Sequence, residues 1–194
     1  MLSNRWIDCI FDISQYHESC CLSSKGFVKM EVDPSEIEKV LKILTATPHR
    51  IKSSTKGLDK IRLHFNSDEE PWSVNDILAH LRASADVWGK SIAAMIGQDH
   101  PTLRYMSPRT WIRKKDYPQQ EFQISVAAFT KQRGELLKLL KSLSTEDWSR
   151  GATFTATAKG REQTVLSYAQ RMARHEDEHC IQIQELLQGT RNNK

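Results

Sequence analysis

Between residues 34 and 189, apolar residues recur mostly at intervals of three and four, the period of a helix with one buried face. Four such helices are predicted. The first opens at Asp33-Pro34-Ser35-Glu36, where Asp33 suits the N-cap, Pro34 lacks the amide hydrogen a first turn leaves unpaired, and Glu36 stands at N3 of a capping box. Its stripe is Ile37, Val40, Leu41, Leu44 and Ile51, with a bend expected at Pro48. The second opens at Trp72-Ser73-Val74-Asn75-Asp76-Ile77: Ser73 caps, Asp76 sits at N3 and Trp72 can staple onto Ile77. Ile77, Leu81, Trp88, Ile92 and Ile96 share its inner face, and Gly97 offers the left-handed conformation that ends a helix. The third runs from about Glu121 to Leu143 through Phe122, Val126, Phe129, Leu136, Leu137 and Leu140. The fourth runs from near Thr164 to Gly189 through Val165, Ala169, Met172, Ile183 and Leu187.

Each stripe must find a partner to leave water, so the expected fold class is all-α, a four-helix bundle. All six prolines precede residue 119 and separate helices. Residues 98–118, with three of them, form a long loop between the second and third helices, and residues 149–163 form a Gly/Thr-rich loop with room for a short hairpin around Phe154. Connections much beyond ~12 residues in a compact domain are usually functional or disordered. The bundle accounts for residues 30–190 as one domain, beginning at Met30. Residues 1–29 match no bundle element and are read as an N-terminal extension, disordered or belonging to an upstream start; residues 191–194 are a C-terminal tail.

Composition narrows the setting. The 194 residues are 39% hydrophobic and 27% charged, the profile of an ordinary soluble chain. Twenty-eight Lys+Arg against 24 Asp+Glu leave only +4, scattered along the chain, so no nucleic-acid partner is expected. No window approaches the ~18–20 apolar residues of a membrane span. The most apolar N-terminal stretch, Trp6 to Ile13, is broken by Asp8 and Asp12, so neither a span nor a signal peptide is predicted. Cys9, Cys20 and Cys21 crowd the first 21 residues without CxxC spacing, and with Cys180 they point to a reducing cytoplasm.

The chemistry concentrates on the fourth helix. His175 and His179 are spaced i, i+4, which sets both imidazoles on one face as two ligands of one metal require, although two surface or core histidines would read the same way. The string His175-Glu176-Asp177-Glu178-His179 also matches HExxH, the zinc-peptidase motif. That reading is the weakest, because the 15 residues after His179 contain no His and Glu185 is too close to serve as the distant third ligand. An upstream third ligand is available in His80, at the edge of the second helix's stripe, about 60° from Ile77 at ~100° per residue. His17, His49, His64 and His100 fall in loops or at helix ends and read as solvated. Arg133 and Glu176 project into apolar stripes, so they are expected to pair with each other or with the ligand histidines, unless their long side chains snorkel to the bundle end. Trp72, Trp88 and Tyr168 read as core or pocket wall, and Cys180 as a core thiol. Arg104, Arg109, Arg113, Lys114 and Lys115 read as a solvated loop or, functionally, as a lid that attracts anionic substrates.

The segments PWSVNDILAHLRASADVW, FTKQRGELLKLLKSLSTEDWSR and TVLSYAQRMARHEDEHCIQIQELL, in that order, resemble the DinB/YfiT-like metal-dependent proteins of the DinB superfamily over residues 35–188. In that family a Trp-Ser-x-x-(Asp/Glu)-x-x-x-His-Leu segment on helix two and an HxxxH segment followed by Gln-Ile on helix four hold one divalent metal within a four-helix bundle. The resemblance carries the ligand roles onto His80, His175 and His179. Glu176 departs from it, standing where many members have Asp. Three neutral imidazoles leave the ion's full charge, so a water can be acidified toward pKa ~7 or a thiol held as thiolate at an open position. Zinc or nickel is expected ahead of manganese or iron. The implied activity is that of a metal-dependent enzyme on a small molecule, either a thiol S-transferase using a low-molecular-weight thiol or a small-amide hydrolase. The competing class is a non-catalytic metal-binding or stress-related bundle, and a homodimer is compatible with either.

Overall fold

The structure, a computed structural model, describes residues 32–66, 71–156 and 161–189. The expected extension over residues 1–29, with Cys9, His17, Cys20 and Cys21, and the tail over 191–194 lie outside the described residues. Helix α1 (Pro34–Ser54) starts where the Asp33 carboxylate accepts the Ser35 amide at 2.8 Å, and it runs on through Pro48. Glu36 does not complete a capping box; its carboxylate takes Lys39 at 2.6 Å and Gln170 of the last helix at 3.1 Å. Helix α2 (Lys60–Leu63) is a single turn capped by Asp59. Helix α3 (Val74–Gly97) has the expected capping box, with the Ser73 amide on Asp76 at 3.0 Å and the Asp76 amide on Ser73 Oγ at 3.2 Å. Its exit differs from expectation: Gly97 stays helical, the chain leaves through extended Gln98, and the left-handed residue is His100, φ 40°.

Helix α4 (Pro108–Lys115) lies inside the predicted 98–118 loop, which also holds strand β1 (Thr102–Arg104) and a short 3-10 turn at Tyr117–Gln119. This segment is ordered by polar contacts that carry no sequence period. Asp86 of α3 accepts the Trp111 indole N–H at 2.8 Å, the Tyr117 hydroxyl, and the Gln132 amide at 2.5 Å. Arg82 lies 4.1 Å over the Tyr117 ring and donates to Gln120 at 2.6 Å and Ser125 at 3.0 Å.

Helix α5 (Phe122–Lys141) starts on the Glu121 carboxylate, and α6 (Val165–Gly189) closes the bundle. α1 packs on α5 and α6, and α3 packs on the same two helices, so α1 and α3 stand across the bundle from each other. One half of the core gathers Leu44, Trp88, Ile92, Met95, Leu140, Trp148 and Met172. The other gathers Ile51, Ile77, Leu78, Leu81, Phe129 and Ile183.

The expected hairpin forms from strands β2 (Gly151–Thr155) and β3 (Arg161–Thr164), and β1 adds to it in parallel, Leu103 opposite Phe154. A side chain at position 151 would meet the Gln163 carbonyl at 2.9 Å, so the close strand approach requires glycine. Alternation puts Ala152 and Phe154 into the core, and the Phe154 ring stacks on Tyr168 at 5.0 Å. Arg150 ties the sheet to α3 by donating to the Met95 carbonyl at 3.1 Å and the Gln98 carbonyl at 3.0 Å, two acceptors that the end of a helix leaves unpaired. No described helix is long and apolar enough to cross a membrane.

Candidate metal centre

His80 comes from α3 and His175 and His179 from α6. One ring nitrogen from each lies within 4.8 Å of the other two, and His80 Nε2 is 2.9 Å from His175 Nε2. The two helices run antiparallel here. Trp72, before α3, stacks parallel to His179 at 6.2 Å and meets His80 edge-on at 5.2 Å, while Trp88, farther along α3, meets His175 at 4.8 Å. Trp72 and Trp88, read from sequence as core or pocket wall, thus flank the histidine cluster at its two ends.

His80 is buried, 1% exposed, and His175 and His179 are half-buried. Burial drives all three below the ordinary imidazole range. Beyond burial, His80 falls to about 3 through the nearness of His179 and Arg109; His175 falls well below; His179 falls although its hydrogen bond to Gln182 opposes the shift. All three rings are thus neutral near neutral pH, the form in which imidazole binds a metal. His179 Nδ1 stands 2.9 Å from Gln182 Oε1, which can only accept, so Nδ1 carries the proton and Nε2 keeps its lone pair. His80 and His175 face each other through Nε2, while both Nδ1 atoms are buried without a partner. At most one of the facing Nε2 atoms can bear the hydrogen between them, so a bare lone pair points into the gap.

A divalent ion fits this donor set. Nitrogens at ~2.0–2.1 Å around a tetrahedral zinc stand ~3.3 Å from one another, and that separation falls between the 2.9 Å approach and the 4.8 Å limit seen here. No carboxylate or thiolate joins the group among the described residues.

Arg133 of α5 and Glu176 of α6 form an ion pair inside the core, each 1% exposed. The guanidinium also reaches Met172 Sδ at 3.0 Å and lies 5.5 Å from the Phe129 ring centroid, and burial brings it down to about 9. Among the described residues neither group hydrogen-bonds a histidine. Of the sequence alternatives, mutual pairing is the one observed. It also withdraws Glu176 from the base position that a zinc peptidase would need.

Cys180 packs in the core with Ile51 and Ile183, and burial raises its thiol to about 11. His49, His64 and His100 are exposed. Arg104, Arg113, Lys114 and Lys115 are exposed as well, but Arg109 is half-buried and its charge reaches His80. Sequence reasoning assigned no role to Gln182, whose i, i+3 spacing from His179 was the available signal. Nothing local in the sequence separated Arg109 from its basic neighbours.

The sequence profile of the DinB superfamily matches residues 43–183. A protein of Halalkalibacterium halodurans named as a candidate metal-dependent hydrolase is 24% identical over 162 residues, covering 83% of this chain and 92% of that protein. Among solved structures, YfiT from Bacillus subtilis, described as a probable metal-dependent hydrolase with an unusual four-helix-bundle topology, superposes with a TM-score of 0.72 at 18% identity. That superposition covers 92% of this chain and 95% of YfiT, and shows a shared fold. With the profile spanning most of its length, this chain belongs to the DinB superfamily.

Proposed function

We propose that the protein is a metal-dependent hydrolase of a small molecule, holding one divalent ion, zinc or nickel, through His80, His175 and His179. The observation that carries this reading is the set of three neutral imidazoles from two antiparallel helices, with no charged ligand beside them among the described residues. A bound divalent ion would supply an uncompensated positive charge that acidifies a water or a thiol. The chain's own residues supply the rest. Gln182 fixes the His179 tautomer, Trp72 and Trp88 hold the rings in place and narrow the access of water, and the Arg133–Glu176 pair positions α6 against α5. The names given to the Halalkalibacterium and Bacillus relatives support hydrolysis. A second reading, thiol S-transfer, is favoured by the same neutral ligand set, because an uncompensated cation also suits an anionic thiolate. The free Cys180 thiol is consistent with a cytoplasmic setting.

The test is a paired assay on metal-loaded and chelated protein, offering small amides alone and then a small electrophile with a low-molecular-weight thiol. Metal-dependent turnover of the amides supports hydrolysis, and turnover only with the thiol supports transfer. Silence in both with the site filled overturns the enzymatic reading in favour of a non-catalytic metal-binding bundle.

A further inference from the structure

A second group of unsatisfied polar atoms lies beside the histidines. Ser84 Oγ, Trp88 Nε1 and Arg109 Nε are buried without a hydrogen-bond partner. His80, Ser84 and Trp88 follow one another at intervals of four on α3, about 40° apart around the helix, so they form one stripe. Both ends of the stripe touch the same ring, His80 at 4.9 Å and Trp88 at 4.8 Å from His175. Ser84, midway between them, stands level with His175. Ser84 is 2% exposed and Trp88 3%, and a hydroxyl and an indole N–H buried this deeply are ordinarily paired.

Two guanidinium groups accompany the stripe. Arg171, one turn before His175 on α6, lies 5.1 Å over the Trp88 ring. Arg109, at the start of α4, is half-buried and adds to the charge felt by His80. Neither has a carboxylate partner among the described residues. The other arginines held in the fold donate to acceptors, Arg82 to Gln120 and Ser125, Arg133 to Glu176 and Arg150 to two carbonyls, although Arg82 Nε and Arg133 Nε are also buried without a partner. Arg109 and Arg171 are thus the ones kept near the histidines with their charge unanswered.

We propose that these donors beside the three histidines receive the carboxylate of a small organic acid, with Arg109 and Arg171 as its charged partners and Ser84 Oγ and Trp88 Nε1 as neutral donors. The inference rests on the functional reading above and adds the substrate class. The unpaired groups are three N–H or guanidinium donors and a hydroxyl able to donate, so the matching ligand is an acceptor-only group with two oxygens and a negative charge. An amide of the same shape would turn an NH2 toward these donors and be rejected. Arg109 and Arg171 are on this account specificity-determining residues, and the reactive bond would lie on the histidine side of the carboxylate.

The test is an NMR titration of 15N-labelled protein with propionate and, separately, propionamide at constant ionic strength, on zinc-loaded and on chelated protein. The readout is the Trp88 indole N–H cross-peak, identified by its loss in Trp88→Phe. Propionate is expected to move that peak saturably, with propionamide about tenfold weaker or more, the loss of one charged contact. Arg109→Met and Arg171→Met should each weaken propionate by about fivefold or more while the rest of the spectrum is retained; Arg109→Gln and Arg171→Gln repeat the test if either Met variant unfolds. Equal effects of acid and amide, an unmoved peak, or wild-type affinity in both arginine variants would overturn the assignment. Protein that takes up no zinc would refute the metal-dependent function, while the titration of chelated protein still decides the carboxylate site.

Discussion

Replacing Glu176 by Gln removes the charge that answers Arg133 while keeping the side chain's shape. Both groups are 1% exposed, and the pair is already incomplete, since Arg133 Nε and Glu176 Oε2 have no partner. Taking away one member of a buried pair costs about 3–5 kcal/mol. The Gln carbonyl can still accept from Arg133, and a hydrogen bond to a charged group retains about 1.5 kcal/mol. The expected loss is therefore about 1.5–3.5 kcal/mol, or a fall in Tm of about 3–14 °C for a chain of this size. Urea denaturation at constant m, on chelated protein so that bound metal adds nothing, measures it. The metal content of the unchelated variant should equal wild type, because Glu176 is committed to Arg133 and not to the histidines. Replacing both partners, Arg133→Met with Glu176→Leu, should return stability to within about 1 kcal/mol of wild type. A Glu176→Gln loss below about 0.5 kcal/mol, or a double variant as costly as the sum of its singles, would refute the reasoning.

Chelated protein should lose stability as pH falls below about 6.5, because unfolded histidines then take up protons that the buried ones refuse. The difference stays open down to the folded-state value of about 3 for His80. Urea midpoints between about pH 7 and pH 5 check the sign, and a flat or rising profile on acidification contradicts it. Asp86→Ala strips acceptors from Trp111, Tyr117 and Gln132 together. It should cost about 1–3 kcal/mol and speed trypsin cleavage around Arg113 to Lys115, as limited proteolysis would show. Ser73→Ala breaks the capping box of α3 and should cost about 1 kcal/mol by the same denaturation assay.

The four long helices were legible because a helix writes its buried face into its own sequence, and the Ser73–Asp76 capping box marked the start of α3 within a residue. His80, His175 and His179 could be brought together on paper because each sits at a fixed angle on such a helix. What escaped was non-local. β1 pairs in parallel with a strand some fifty residues away, Leu103 with Phe154, and no local period announces it. α4 is held by Asp86, a polar residue on the side of α3 that the apolar pattern leaves blank. Gly97 looked like a helix stop, but the turn was placed at His100, where the chain enters the sheet. Glu36 looked like half of a capping box, but a cross-helix partner, Gln170, competes for its carboxylate.

Metal analysis of untagged protein, purified without chelator, tests the central claim most directly, with His80→Ala, His175→Ala and His179→Ala measured alongside. The account predicts about one divalent ion per wild-type chain and a tenfold or greater loss of affinity in each variant, because two imidazoles hold an ion far less tightly than three. Full occupancy in His80→Ala, or wild-type protein that takes up neither zinc nor nickel when offered them, would contradict it.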